Sequence, residues 1–523
     1  MENPRITRGG FEENTMAILD SSGIKDARDI HDDRLSFLEA VRFASLASES
    51  LSAPSWRMFD AIFQILRDSK SLELAMASYQ LLSELEQRYP RIYLTCSDKP
   101  ESTSGRAGEL VVVKEAWSPF IVGSEASHTE AEAAGKDLDH LFDSLALKRA
   151  ALLMQEGWER GRAEVQPEPS SKPSIGSVPA RKANPGNLGG KRIKGGSERF
   201  SVLVEDMALA VKRTDFQLVI KPVECMLLFQ YLVNVLEADF LPRQTLYKET
   251  SNWVLFRESI LNILLGSRKL NFKSLVRDCM SIMCRRCHHH IEKNFQDLRY
   301  VKDSRDKEAH NSNVSLAIAL SELEKGTCVA VQELMTLIME LDLIRKEADL
   351  QGFTTRVDGF RWVPMLEIIV DELTYNKDYI SPFLMVFSEP KWKLEIILQY
   401  FSKYTTKSSV RTRRSNETSN DATLEAILSF FSTATSTKNI VKKISSEVAK
   451  LLLVHAFQAC LSLQHCSRHN AYSAERIGGT LSQISNKLVS AFQSLRKNDE
   501  DLEMTAFEKE ALFAAATILS QRS

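Results

Sequence analysis

Apolar residues in this chain recur at spacings of three and four, the signature of a helix with one buried face. Leu35, Leu38 and Val41 begin the pattern, and Asp32-Asp33 ahead of them complements a helix N-terminus. Ser52-Ala53-Pro54-Ser55 announces a second helix with Met58, Ile62, Ile65 and Leu66 on one face. A third helix spans Ser71 to Arg88 through Leu74, Tyr79, Leu82 and Leu85, and stops before Pro90. Val111-Val112-Val113 reads as a short strand, and a helix is expected over Asp137 to Glu159.

Beyond Ser201 the helical pattern runs almost to the end. Met226 to Leu236 is apolar nearly all round, which predicts a buried helix. Trp253–Leu265 follows Pro242, and Phe272–Met283 follows a turn at Gly266. Leu334, Leu337, Ile338 and Leu341 share one face. Leu424–Phe431, Ile440–Cys460, Ile484–Leu495 and Phe507–Leu519 complete the set. Between residues 160 and 199 the composition changes: Pro167, Pro169, Pro173, Pro179 and Pro185 stand among glycines and serines, with almost no large apolar side chains. Such a stretch buries too little surface to offset its ordering entropy, so it reads as a disordered linker. The expected organisation is a flexible arm over 1–24, a helical region over 25–159, the basic linker over 160–199 and a helical, repeat-like region over 200–523. The fold class is all-α: stacked helical hairpins in an armadillo/HEAT-like α-solenoid. With no strict sequence period, that reading rests on helix and connector lengths.

Pro364 to Arg414 is the densest part of the pattern. Pro364, Pro382 and Pro390 each sit just ahead of an apolar-periodic run. A proline in the first helical turn sacrifices no hydrogen bond and presets φ. Ser381 and Ser388 add capping oxygens. Three short helices in succession are expected, closed by a basic loop rich in serine and threonine.

Charge narrows the function classes. With 67 Lys+Arg against 69 Asp+Glu the net charge is −2, which does not advertise a duplex-binding face. The N-terminus shows no apolar signal region, and the longest apolar runs, such as Leu451–Val454, are expected to fall short of the roughly 18 residues of a membrane span. Eight cysteines in 523 residues favour reduced thiols over a disulfide framework. Cys284-Arg285-Arg286-Cys287-His288-His289-His290 has the letters of haem attachment or part of a zinc site. No second Cys-x-x-Cys exists, and three adjacent histidines cannot all point inward from one helix, so it reads as structural. Gly189-Gly190-Lys191-Arg192 lacks phosphate-loop spacing. Asp371-Glu372 lies on one helix with neighbours about 100° apart and reads as a solvated face; His455, among Leu451 to Phe457, reads as a satisfied core histidine. No catalytic, cofactor or metal residues are assigned.

What remains is surface. Trp392 begins a helix on which Ile396, Ile397, Tyr400 and Tyr404 recur, and it reads as core or as part of a contact face. Arg411, Arg413 and Arg414 form a basic cluster suited to gripping carboxylates of a partner. Several blocks here, in chain order, resemble the plant negative regulators of systemic acquired resistance. They are Asp33-Arg34-Leu35, Leu38–Arg42, Glu115-Ala116-Trp117-Ser118-Pro119-Phe120, Asn252-Trp253, Arg257-Glu258-Ser259, Ser267-Arg268-Lys269, Met339–Asp342, Asp371–Tyr375, Pro390–Ile396 and Arg411–Arg414. Residues 160–199 look enlarged and 284–313 inserted relative to that family. The resemblance implies a nuclear, armadillo-like protein without enzymatic activity that represses pathogenesis-related genes and DNA-damage responses. It also implies an accessory non-SMC subunit of the five–six structural-maintenance-of-chromosomes complex, paired with a companion accessory subunit and reaching chromatin indirectly. A direct DNA-binding repressor is the alternative.

Overall fold

A computed structural model describes residues 8–19, 26–47, 53–69, 71–95, 109–113, 117–120, 196–212, 220–267, 270–297, 310–354, 363–405, 423–466, 475–499 and 503–521. The helix expected over 137–159 and most of 160–199 lie outside them, as does the Arg411–Arg414 cluster. One compact unit combines Met1–Phe120 with Ser197–Ser523. Its fold is all-α, a solenoid-like succession of packed helices with one two-stranded hairpin among the described residues.

The N-terminal part comprises α1 (Arg8–Ala17), α2 (Ala27–Arg42), a π turn over Phe43–Ala47, α3 (Trp56–Asp68) and α4 (Leu72–Arg88). Within the expected arm, Arg8–Ala17 is therefore helical, and Thr15 is buried. Asp32-Asp33 falls inside α2 rather than at its start; Asp26 is the N-cap. In α3, Met58, Ile62, Ile65 and Leu66 are buried as the spacing predicts, and the Ser55 side chain accepts from the Met58 N–H. The hairpin pairs β1 (Ile92–Thr95) with β2 (Glu109–Val112) antiparallel, Ile92 opposite Val112 and Thr95 opposite Glu109. The strand at Val111 was legible from its valine run; its equally short partner, Ile92-Tyr93-Leu94-Thr95, carries no such run.

The larger part begins with α5 (Gly196–Lys212), so the last four residues of the 160–199 stretch are helical. Then come α6 (Ile220–Thr250), α7 (Val254–Arg257), α8 (Ile260–Leu265), α9 (Phe272–Asp297) and α10 (His310–Leu350). Pro242 lies inside α6, where it removes one backbone donor. The single helix expected over Trp253–Leu265 is two, because the Ser259 side chain accepts from Asn262 N–H and caps a new start. Helices α11 (Met365–Tyr375), α12 (Ile380–Val386) and α13 (Pro390–Thr405) are the expected trio. Ser381 sits inside α12 rather than capping it, and the Ser388 N–H and hydroxyl both donate to Gln332 Oε1, at 2.8 and 3.0 Å.

Helices α14 (Leu424–Phe430), α15 (Ala434–Ile444), α16 (Ser446–Cys466), α17 (Leu481–Asn498) and α18 (Ala506–Ser520) finish the chain. The expected helix over Ile440–Cys460 is broken at Ser445, whose φ of 70° is left-handed. Apolar spacing continues across the break, so periodicity alone does not reveal it. Thr480 and Thr505 form reciprocal capping boxes with Gln483 and Glu508. Contrary to the expectation from apolar runs, two stretches among the described residues, Val223–Thr250 and Ser446–Gln464, are long and apolar enough to cross a membrane by length and composition. In this fold 67% and 61% of their most apolar windows are buried within the protein.

Helix α6 organises the core. It packs on α3, α4, α8 and the hairpin as well as on α10. Gln230 Nε2 donates to Leu323 O (3.1 Å) and Thr327 Oγ1 (3.0 Å), while Gln244 Nε2 donates to Glu340 Oε2 (3.4 Å). Contacts advancing together along both helices make α6 and α10 parallel neighbours. Gly326 permits their approach, since a Cβ there would lie 2.9 Å from Gln230 Oε1. On another face of α6, buried Asp239 accepts from Arg91 (3.3 Å), Arg243 (3.4 Å) and the Ile260 N–H (2.8 Å). That cluster ties the N-terminal helices, the hairpin and the start of α8 to one carboxylate. Burial also raises the Glu86 carboxyl above its ordinary value, with Arg91 opposing the shift.

Candidate functional site

Of the residues that looked most like chemistry, Cys284 and His455 are buried in packed helices. Cys284 is buried in α9, with its Sγ 3.8 Å from Tyr379 O. Cys287 and His288 lie on the same helix, as expected. Among the described residues no group of three potential ligands is placed to hold a metal ion. Burial pushes the Cys279 and Cys460 thiols up to about 12, far from a reactive thiolate. His455 is core, but it is not the satisfied histidine expected: neither ring nitrogen meets a hydrogen-bond partner among the described residues, and the ring lies 4.8 Å from Phe507. Burial, helped by the Lys393 charge, lowers it to about 4.

Asp371 and Glu372 are tied down rather than simply solvated. Asp371 pairs with Lys403 of α13 and Glu372 with Arg277 of α9. The structure places Trp392 in the core, 4% exposed, its indole N–H meeting no acceptor among the described residues. Ile396, Ile397 and Tyr400 are buried with it. Lys391 lies over the Trp392 ring, 4.6 Å from its centroid, and donates to Glu340 at 2.6 Å. Arg411, Arg413 and Arg414 lie outside the described residues.

A site that the sequence reading passed over lies along the seam between α6 and α10. Glu237, Leu241 and Gln244 of α6 face Val329, Gln332, Glu333, Thr336 and Glu340 of α10 across a groove of about 380 Å³, which Ser388 and Glu389 also line. Buried Phe240 and Leu337 form its floor. Leu241 and Val329 stay 46% and 51% exposed at its edge, large values for aliphatic side chains beside a core. Of the four carboxylates, Glu340 is paired with Lys391. The side chains of Glu237, Glu333 and Glu389 make no ion pair or hydrogen bond among the described residues. The Glu333 carboxyl is raised above its ordinary value by burial and then by the charge of Glu237, with no cation opposing it. One pattern in the sequence carried this site: an acid and an exposed aliphatic four residues apart on each helix, Glu237/Leu241 and Glu333/Val329.

The chain matches the SNI1 middle domain over residues 91–165 and 188–389, and the SNI1 C-terminal domain over 405–523. The interruption from 166 to 187 falls inside the proline-rich 160–199 stretch, whereas the match runs unbroken through 284–313. No solved structure matches the chain. Over 517 residues, covering 98% of this chain and 96% of the relative, it is 38% identical to the negative regulator of systemic acquired resistance SNI1 of Arabidopsis thaliana. The chain belongs to the SNI1 family of negative regulators of systemic acquired resistance.

Proposed function

We propose that this protein is a non-catalytic nuclear scaffold that restrains systemic acquired resistance and pathogenesis-related gene expression. In the same proposal it is an accessory subunit of the five–six structural-maintenance-of-chromosomes complex in DNA repair and recombination, held there by a companion accessory subunit. The full-length similarity to a protein named as a negative regulator of systemic acquired resistance carries the regulatory half. A unit of packed helices with an open groove suits a protein that works through surfaces. The chromosome-complex half extends what the family resemblance implies.

Tagged protein expressed in an Arabidopsis line lacking SNI1 tests both halves. Restored repression of pathogenesis-related transcripts and nuclear recovery of the complex's subunits by mass spectrometry are expected. Repression without those subunits would sink the chromosome-complex half, and failure to repress would sink the regulatory half. Specific gel shifts by the purified protein, weakening steeply with salt, would favour the direct DNA-binding repressor instead.

A further inference from the structure

We propose that the groove between α6 and α10 docks a basic amphipathic helical segment of a protein partner, its apolar stripe on Leu241 and Val329 and its lysines or arginines on Glu237, Glu333 and Glu389. This rests on the protein being an interaction scaffold, not on which complex it joins.

The occupant's charge follows from the carboxylates. Glu237, Glu333 and Glu389 line one groove with no ion pair among the described residues, and the Glu333 carboxyl is raised first by burial and then by the charge of Glu237. A cationic ligand offsets that negative charge; a phosphate backbone or an anionic lipid surface adds to it. Its apolar stripe follows from Leu241 and Val329, which flank the carboxylates on opposite walls and leave aliphatic surface in water. Size points the same way. From Val329 to Glu340 the α10 wall advances eleven residues, about 16 Å at the helical rise. That accommodates about three turns of a partner helix, whose apolar residues at i, i+4 and i+7 meet the two walls as in other helix-in-groove interfaces. One further detail keeps the groove acidic but bounded: Lys391 neutralises Glu340 at the Trp392 end, so the free negative charge lies toward Glu237 and Glu333.

The probe is a fluorescein-labelled amphipathic helical peptide with leucines on one face and lysines on the other, titrated with the purified full chain by anisotropy. Saturable binding is expected, weakening as salt rises from about 0.05 to about 0.3 M. A peptide of the same length with glutamates for lysines is expected not to bind. Glu237→Lys combined with Glu333→Lys is expected to weaken the lysine peptide about tenfold or more, and Leu241→Ser several-fold. Should the reversed pair melt early, Glu237→Gln with Glu333→Gln keeps the shape and is expected to show the same direction of loss. Equal affinity of the charge variants and the wild type would overturn the proposal, as would no binding by the wild type. If the peptide binds through these residues while no chromosome-complex subunit co-purifies, the docking site stands and the chromosome-complex half of the proposed function falls.

Discussion

Helix α6 carries acidic residues on two faces, and their treatment differs. Asp239 is buried, and two arginines and a backbone N–H converge on it. Glu237, two residues earlier, opens onto the groove with no ion pair among the described residues and, after burial, is the further cause of the raised Glu333 pKa across the seam. A charge inside the fold must be paired, because desolvation costs several kcal/mol per ion. An unpaired cluster at a groove persists where water still reaches it. The contrast separates carboxylates that hold the protein together from carboxylates free to meet something else.

Breaking the paired face gives the largest expected effect. Asp239→Ala leaves Arg91 and Arg243 buried beside each other with only Glu86, near Arg91, as a counter-charge, at a cost of about 3 kcal/mol in urea unfolding. Loss of the shared anchor also uncouples the hairpin and α8 from α6, so amide exchange is expected to rise in both. A loss under about 1 kcal/mol would remove the distinction between the two faces.

His455 sharpens the contrast with a buried polar group that meets no hydrogen-bond partner among the described residues and that burial keeps neutral. Its folded pKa of about 4 lies below the ordinary 6.5, so between those values the unfolded chain binds the extra proton. The stability it allows is complete above about pH 6.5 and declines as pH falls toward 4. Between pH 7 and 5 the wild type is expected to lose about 1–2 kcal/mol more than His455→Leu. Parallel pH profiles for the two proteins would contradict this.

The groove face gives the smallest effect, and its sign is opposite. Glu333 has a raised folded pKa, so its ionisation opposes folding at neutral pH. Glu333→Gln is expected to stabilise slightly, by about 0.2–0.5 kcal/mol after allowing for solvent screening. The gain is present above the raised pKa and fades as pH falls through it toward 4.5. Thermal melts at pH 7 and pH 4.5 check both statements.

Much of the fold was legible. The apolar spacing of α3 and the stop of α4 before Pro90 fall where expected. So do the prolines of α11 to α13, because a core face and a helix start are local properties. The breaks were not. Ser259 and Ser445 interrupt runs whose apolar spacing carries on, so only the backbone reveals them. Family blocks were legible for a related reason: Trp117, Trp253 and Trp392 pack into or against the core, and packing residues leave strong sequence signals. The groove was harder to read. Glu237 and Glu333 are ordinary acids in sequence, and only the parallel packing of α6 on α10 sets them side by side.

The most direct test pairs two readouts on one protein, Glu237→Gln with Glu333→Gln. If these carboxylates are kept for a ligand, neutralising them leaves the melting temperature unchanged or slightly higher while affinity for the lysine-faced peptide falls. A lower melting temperature with affinity unchanged would show that the two carboxylates belong to the fold, and would contradict the account.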